Sequence, residues 1–462
     1  MRLKWIASAL LLATTAIPAH AGTPAKNDSA QNAAAINMLV KSIGYRTVAG
    51  QGQVPAYAEY LAGKLKAAGF AAEDVTVQKR GETATLVARY RGTGKGKPIL
   101  LSGHMDVVEA RREDWERDPF VAVVENGYVY GRGSADNKAG VVVMVQTLIR
   151  LKQEGFRPNR DIILALSGDE ETEMATTAAL ATELKGAELL LNSDAGGALL
   201  DEATGKPTVY GIQAGEKTYA DFRIAFTNPG GHSSRPSKNN AIYDLAKAID
   251  AIAAYDFPAQ INELTRASLA AAATKTPGAV GEAMTRFVAN PSDAQAAATL
   301  SADPEWIGTI RTTCVATMLE GGHALNALPQ SAAVMVNCRI FPGVEIASVR
   351  DKLAELAGPN ANITVIGNPV ASDASPLRPD VLAALRKAID ARSPGVPIVP
   401  NMSAGATDSL YFRAQGVPSY GVGPYYMKAS DDFSHGLNER VTVETIEGGL
   451  KQWYVLLKEL TR

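Results

Sequence analysis

The 462-residue chain is predicted to be an α/β protein, with a mixed, largely parallel sheet flanked by helices and a smaller α+β domain inserted into it. Three observations lead there. The runs Pro98-Ile99-Leu100-Leu101-Ser102, Asp161-Ile162-Ile163-Leu164-Ala165-Leu166 and Glu188-Leu189-Leu190-Leu191 are apolar throughout, as strands buried on both faces must be. Helical patterns separate such runs, the one from Lys138 to Lys152 lying between the first and the second. The pattern breaks near residue 217 and resumes near residue 372.

Taken in order, Arg2 and Lys4 precede an apolar stretch from Ile6 to Ile17 and a small-x-small site at Ala19-His20-Ala21. That is the pattern of a cleavable signal peptide over residues 1–21, so a periplasmic or secreted protein is expected. The stretch is too short to span a bilayer and no later one reaches about 18 apolar residues, so no membrane anchor is expected. Residues 22–217 form the first part of the larger domain. They carry helical spacing at Ala33–Ile43 and Pro55–Ala68, strand patterns at Val75–Lys79 and Thr85–Tyr90, and then the three apolar runs. Residues 218–371 read as strand (Tyr219–Phe226), helix (Ala241–Ala254), two strands (Arg311–Leu319, Ser331–Ile340), helix (Val344–Ala357) and strand (Asn362–Ile366). That β-α-β-β-α-β order makes a self-contained antiparallel sheet with helices on one face. An Ala- and Thr-rich stretch, Asn262 to Thr299, reads as a helical insertion within it. Residues 372–462 return to the larger domain with helices at Val381–Ala391 and Val443–Leu460 and a strand at Val417–Val422.

Loss of Arg2 and Lys4 with the leader takes the formal net charge from −2 to −4. A nucleic-acid partner, which calls for a basic face, is not expected. Two cysteines exclude a disulfide framework and a Cys-rich zinc site.

Four histidines lie outside the leader: His104, His232, His323 and His435. The three apolar runs end in Gly103-His104-Met105-Asp106, Gly168-Asp169-Glu170-Glu171 and Asn192-Ser193-Asp194. Ligands of such sheets bind outside the carboxyl ends of the strands. His104 and Asp106, two apart on extended chain, point to one side, so the carboxylate can orient the imidazole. Asp136, in Gly131-Arg132-Gly133-Ser134-Ala135-Asp136-Asn137-Lys138, opens a helix and read alone could be a helix cap. Asp169, Glu170 and Glu171 repel one another unless cations compensate. With Asp194 and His435 the set offers two imidazoles and several carboxylates without thiolate, which suits zinc, cobalt or manganese in a two-metal hydrolytic site.

Together these motifs, with Gly230-Gly231-His232-Ser233-Ser234 and Asn326-Ala327-Leu328-Pro329, resemble the M20 metallopeptidases in order and over nearly the whole mature chain. The family includes carboxypeptidase G, aminoacylase and succinyl-diaminopimelate desuccinylase groups. Arg311-Thr312-Thr313 and the stretch from Val336 to Gly343 are most similar to its carboxypeptidase S and N-acyl-amino-acid hydrolase branch. The resemblance implies a zinc-exopeptidase-like fold in which residues 218–371 form a lid. It implies two zinc ions per subunit, with Asp136 bridging, His104 and Asp194 completing one position, and Glu171 and His435 the other; the Asp136–Asn137 bond would be cis. Glu170 would be the general base, taking the proton of the attacking water, and Asp106 would orient His104. His232 would stabilise the oxyanion, usually in the partner subunit's site, and Asn326 and Arg339 would contact substrate, Arg339 gripping its carboxylate. The implied reaction is cleavage of an amide bond next to a free carboxylate, by a carboxypeptidase acting on peptides or dipeptides. The alternatives are an N-acyl-amino-acid amidohydrolase and a peptidase-like module without catalysis. A homodimer through the lid is possible within the branch.

Several residues take no role in this reading. His323 reads as a loop residue, and Asp431 and Asp432 as a solvated pair. Gly405-Ala406-Thr407-Asp408 resembles a family loop near the active site, with alanine where glycine is common, and assigns nothing to Asp408. Cys314 and Cys338, equidistant from Asn326, could face each other across a hairpin; two buried free thiols are the expectation, because such pairs rarely reach relaxed disulfide geometry.

Overall fold

A computed structural model describes residues 24–462, with side chains from residue 28 onward; the signal-peptide pattern lies outside the described residues. The three apolar runs become neighbouring parallel strands, Gly96–His104 between Arg160–Ser167 and Leu189–Asn192, with Leu100 opposite both Ile163 and Leu190. Their side chains alternate between two cores. Ile99, Leu101, Ile162, Leu164, Leu189 and Leu191 pack under the helices Pro24–Ile43, Val54–Ala67, Lys138–Gln153, Pro379–Arg392 and Val443–Leu460. Leu100, Ile163, Ala165 and Leu190 pack under Ala175–Glu183 and Ser409–Ala414. Water reaches neither face, which is why the runs are apolar at every position.

The sheet has ten strands and is mixed, parallel at its centre and antiparallel at the Val75–Arg80 and Thr83–Tyr90 side. Four of its strands, Gly197–Leu200, Pro207–Glu216, Ile398–Ser403 and Tyr426–Met427, were not expected from the pattern. A further three-stranded sheet joins Val123–Glu125, Tyr128–Tyr130 and Arg440–Thr442. Its hairpin turns on Asn126 and Gly127, both with positive φ (51° and 79°), as a tight two-residue turn demands.

A second, four-stranded antiparallel sheet is built from Thr218–Thr227, Thr313–Gly321, Ser331–Ile340 and Asn362–Ile366. Helices Ala241–Ala253 and Ile346–Ala357 cover one face around Phe222, Ile224, Val336 and Leu353. The Ala/Thr-rich stretch forms helices, Glu263–Ala273, Ala279–Ala289 and Ala294–Ser301, around Leu269, Met284 and Phe287. Leu264 ties this helical segment to the core of the larger sheet. Cys314 and Cys338 are directly opposed in the small sheet and form a disulfide, which corrects the expectation of free thiols. Their strands stand in a register that brings the two Cα atoms within 4.1 Å, so the hairpin itself supplies the approach that free thiols would not need.

Candidate active site

Three strand ends build the site. Strand Gly96–His104 ends on His104, Arg160–Ser167 runs into Gly168-Asp169-Glu170-Glu171, and Leu189–Asn192 into Ser193-Asp194. Because the strands are parallel neighbours, all three ends lie on one edge of the sheet. The Asp136–Asn137 bond is cis, and helix Lys138–Gln153 starts immediately after it.

Asp136 sits at the centre. Its Oδ1 lies 2.9 Å from His104 Nε2 and its Oδ2 3.1 Å from His435 Nε2. His435 Nε2 is also 2.9 Å from Glu171 Oε1, and Asp194 Oδ1 lies 3.6 Å from His104 Nε2. Ligand atoms of His104, Asp136 and Glu171 fall within 4.8 Å of one another, the spacing of donors around a cation. A cleft of about 540 Å³ is lined by Asp136, Glu170, Glu171, Asp194 and His435. Its far wall includes Gln213, Asn401 and Ser403.

The titratable groups of the cluster shift one another strongly. Burial lowers the His104 imidazole, but Asp194, Asp106 and Asp136 around it raise it well above its usual value. Hydrogen bonds to Asp136 and Glu171 raise His435 to about 10. Burial, opposed by His104 and reinforced by Asp136, raises Asp194 to about 7. Asp136 is buried, yet the two imidazoles hold it below the ordinary carboxylate range. The carboxylates thus favour the protonated form of both imidazoles. A divalent cation neutralises the same carboxylates and displaces those protons, so the donor set fits a hard or borderline metal ion.

The neighbours of this set are ordered. His104 Nδ1 lies 3.0 Å from the main-chain carbonyl of Asp106 and 3.6 Å from its Oδ1. The carbonyl can only accept, so it orients the ring with Nε2 toward Asp136. The Asp106 carboxylate instead accepts from the main-chain N–H groups of Glu170 (3.1 Å) and Glu171 (3.0 Å). It therefore braces the acidic turn as well as standing behind the imidazole. Burial raises the Glu170 carboxyl well above its usual value; His104 opposes this, and Asp194, Asp408 and Glu171 add to it.

Asp408 is fully buried, a placement the sequence did not assign. It accepts from Ser167 Oγ (2.9 Å), Ser102 Oγ (3.4 Å) and Thr177 Oγ1, joining two of the strand ends from below. Of the expected solvated pair, Asp432 is exposed, whereas Asp431 is half-buried and paired, Arg440 Nε donating to it at 2.7 Å. His323 lies exposed in the loop between its strands.

The residues of the small sheet do not join the cluster. His232 pairs across a two-stranded ribbon with Ala327, Ser233 N donates to the Asn326 carbonyl at 3.0 Å, and both His232 and Asn326 are exposed. Neither lines the cleft. Arg339 comes nearer: its Nη1 donates to the Ala404 carbonyl (3.2 Å), next to the cleft residue Ser403, and its guanidinium lies 4.6 Å from the Tyr219 ring centroid. Among the described residues no carboxylate pairs with it.

Comparison with known proteins places this geometry. Residues 100–459 match the model of peptidase family M20/M25/M40. The N-fatty-acyl-amino acid synthase/hydrolase PM20D1 of Homo sapiens is 29% identical over 378 residues, 78% of this chain and 74% of that protein. Aminoacylase-1 of Mus musculus is 28% identical over 391 residues, 81% of this chain and 83% of that one. The crystal structure of an M20 family metallo-carboxypeptidase, Sso-CP2 from Sulfolobus solfataricus, shares the fold with a TM-score of 0.68 at 21% identity, covering 92% of this chain and 98% of that chain. The chain belongs to peptidase family M20/M25/M40 and is a hydrolase acting on C–N bonds.

Proposed function

We propose that the chain is a two-zinc amidohydrolase cleaving the amide bond of an N-acyl amino acid beside its free carboxylate. The observation that carries this reading is the convergence of His104, Asp136, Glu171, Asp194 and His435, the last four on one cleft with Glu170, and His104 buried directly behind Asp136. His104, Asp136 and Asp194 would hold one ion, and Asp136, Glu171 and His435 the other; cobalt or manganese suits the same donors. Such ions supply polarisation of the scissile carbonyl and a lowered pKa for the attacking water.

The chain's own residues do the rest. Glu170 takes the proton of the attacking water and returns it to the leaving amine, and burial raises its carboxyl above its usual value, the direction that makes it a stronger base. Arg339, without a carboxylate partner among the described residues, grips the substrate carboxylate in bidentate fashion. His232 Nδ1 accepts from Ser234 N at 3.1 Å, so the ring proton sits on Nε2, an outward donor suited to an oxyanion. That donor reaches the cleft of a second copy. The edge strand Thr313–Gly321 exposes Val315, Met318 and Leu319, an unpaired apolar edge that supports a homodimer through the small sheet. The leader pattern over residues 1–21 and the Cys314–Cys338 disulfide support export to an oxidising compartment.

A second cavity, of about 450 Å³, shares Asp136 and Asp194 with the cleft and continues past Leu199, Tyr425 and Met427. Its aliphatic and aromatic wall suits an acyl group. Asp432 on the same wall could take the ammonium of a peptide, which keeps a carboxypeptidase acting on dipeptides or short peptides as the second reading.

The deciding experiment screens zinc-loaded protein against N-acyl amino acids and dipeptides, each with a free and an amidated C-terminus. Hydrolysis of the free acids is expected, with a loss of about tenfold or more on amidation. Equal rates on the amides would remove Arg339 as anchor. No turnover of any member by protein holding two metals would overturn the reading.

A further inference from the structure

We propose that Glu439, acting with Arg132, is a positioning residue of the metal centre that fixes the separation of Asp136 from His435. The inference rests on the two-metal reading above. The small three-stranded sheet sets it up. Arg440 pairs with Tyr130, which brings Glu439 alongside Gly131, whose N–H donates to the Glu439 carbonyl at 2.9 Å.

The Glu439 side chain has no exposed surface, and each of its oxygens receives two N–H donors. Oε2 accepts from Arg132 Nη1 (2.6 Å) and Gly133 N (2.9 Å). Oε1 accepts from Ala135 N (2.8 Å) and Asp136 N (3.0 Å). Four donors and no acceptor converge there, so only an ionised carboxylate satisfies them all. Gly133, at φ 80°, lets the loop coil around this carboxylate; a Cβ there would stand 2.6 Å from Val107 Cγ1. The last of the four donors belongs to Asp136 itself, so the central carboxylate of the cluster is hung from Glu439 by its own main chain.

The second arm runs through Arg132. While Nη1 holds Glu439, Nη2 donates to the main-chain carbonyl of His435 at 3.3 Å, and the guanidinium lies 5.1 Å from the Trp115 ring centroid. His435 has φ 60°, a left-handed backbone that a non-glycine residue keeps only when its surroundings impose it. The Glu439–Arg132 pair therefore holds the two segments whose side chains meet at 3.1 Å between Asp136 Oδ2 and His435 Nε2. A few tenths of an ångström at either end would open that contact and loosen the position shared by Glu171 and His435.

A merely structural ion pair would change stability alone, so the test reads metal. Zinc stoichiometry and affinity would be measured by chelator competition on the full chain, wild type against E439Q, R132K and E216Q. E439Q turns an amide NH2 toward two N–H donors; its second zinc should bind about 10–100-fold more weakly, the first near wild type. The visible spectrum of the cobalt-substituted protein should change with it. R132K keeps the charge but cannot span Glu439 and His435 together, and should show a smaller loss at the same position. Should E439Q fail to fold, R132K carries the test. E216Q breaks a matched buried pair, Glu216 to Arg413 at 2.9 Å, that touches no metal-ligand residue, and should keep both affinities. Wild-type affinities in the folded Glu439 and Arg132 variants, or an equal loss in E216Q, would overturn the proposal. A wild-type chain that takes fewer than two ions would overturn the two-metal reading and this proposal with it.

Discussion

The carboxyl edge of the large sheet and the inserted sheet carry site residues in opposite ways. At the large-sheet edge every candidate ligand already touches another: Asp136 bridges two imidazoles, His435 meets Glu171, and Asp106 braces the acidic turn. In the inserted sheet His232 and Asn326 are exposed, and Arg339 has no carboxylate partner among the described residues. Buried charges need partners inside the chain, whereas groups that must meet a substrate have to be left without one. The difference separates a cluster whose members meet inside one chain from residues left without such partners, the division expected if the first were to activate water and the second to meet substrate.

The comparison breaks most visibly at Glu170. E170Q should lose about 10²–10⁴-fold in kcat while holding the same metal content, measured by steady-state kinetics alongside metal analysis. Near-normal turnover by the metal-loaded variant would make the base assignment wrong. Next in size, H232A should lose about 10²–10³-fold in kcat. Mixing H232A with E170Q sharpens the point, because a heterodimer with His232 acting in trans rebuilds one intact site. Recovery of about a quarter of wild-type activity after subunit exchange is expected for a two-fold dimer. No recovery would place His232 in its own subunit's site. Smaller again, R339A should lower kcat/KM about 10–100-fold on free acids and leave amidated substrates unchanged.

How much of this was legible in the sequence follows the same division. The buried parallel strands showed as unbroken apolar runs, and Asn362–Ile366 and Val443–Leu460 fall where the pattern predicts them. His104, Glu170, Glu171 and Asp194 were readable because each terminates such a run. Strands Pro207–Glu216 and Ile398–Ser403 were not, since Gly211, Gly215, Pro400 and Asn401 interrupt their patterns. The Asn126-Gly127 turn was a readable hairpin signal, yet the strands on either side have three residues each and barely register as periodicity. Glu439 stood in plain view beside His435, but a carboxylate whose partners are main-chain N–H groups 303 to 306 residues away leaves no local trace. The cysteines were correctly placed across a hairpin; whether they bond depends on cross-strand register, which Ala316 and Met318 shift by a bulge that composition does not announce.

The smallest expected effect concerns the joint between the two regions. Lys217 lies where strand Pro207–Glu216 passes into Thr218–Thr227, 1% exposed, with Nζ 3.5 Å from Thr313 Oγ1 and no carboxylate partner among the described residues. Burial first, and then the Arg339 charge, lower its ammonium from 10.5 to about 7. Between those two values the unfolded chain binds more protons at this position than the folded one, so folding stability should rise with pH across that window and be flat in this contribution below pH 7. K217M removes the contribution. Its advantage in Tm over wild type should therefore be largest near pH 7 and shrink toward pH 10, read by thermal unfolding of both proteins at matched pH. A difference that stays constant with pH would mean the lysine keeps its charge inside the fold. The joint would then hold two cations side by side. A shrinking difference means that the lysine gives up its proton inside the fold, leaving the charge of this joint on the Arg339 guanidinium, which donates to the Ala404 carbonyl.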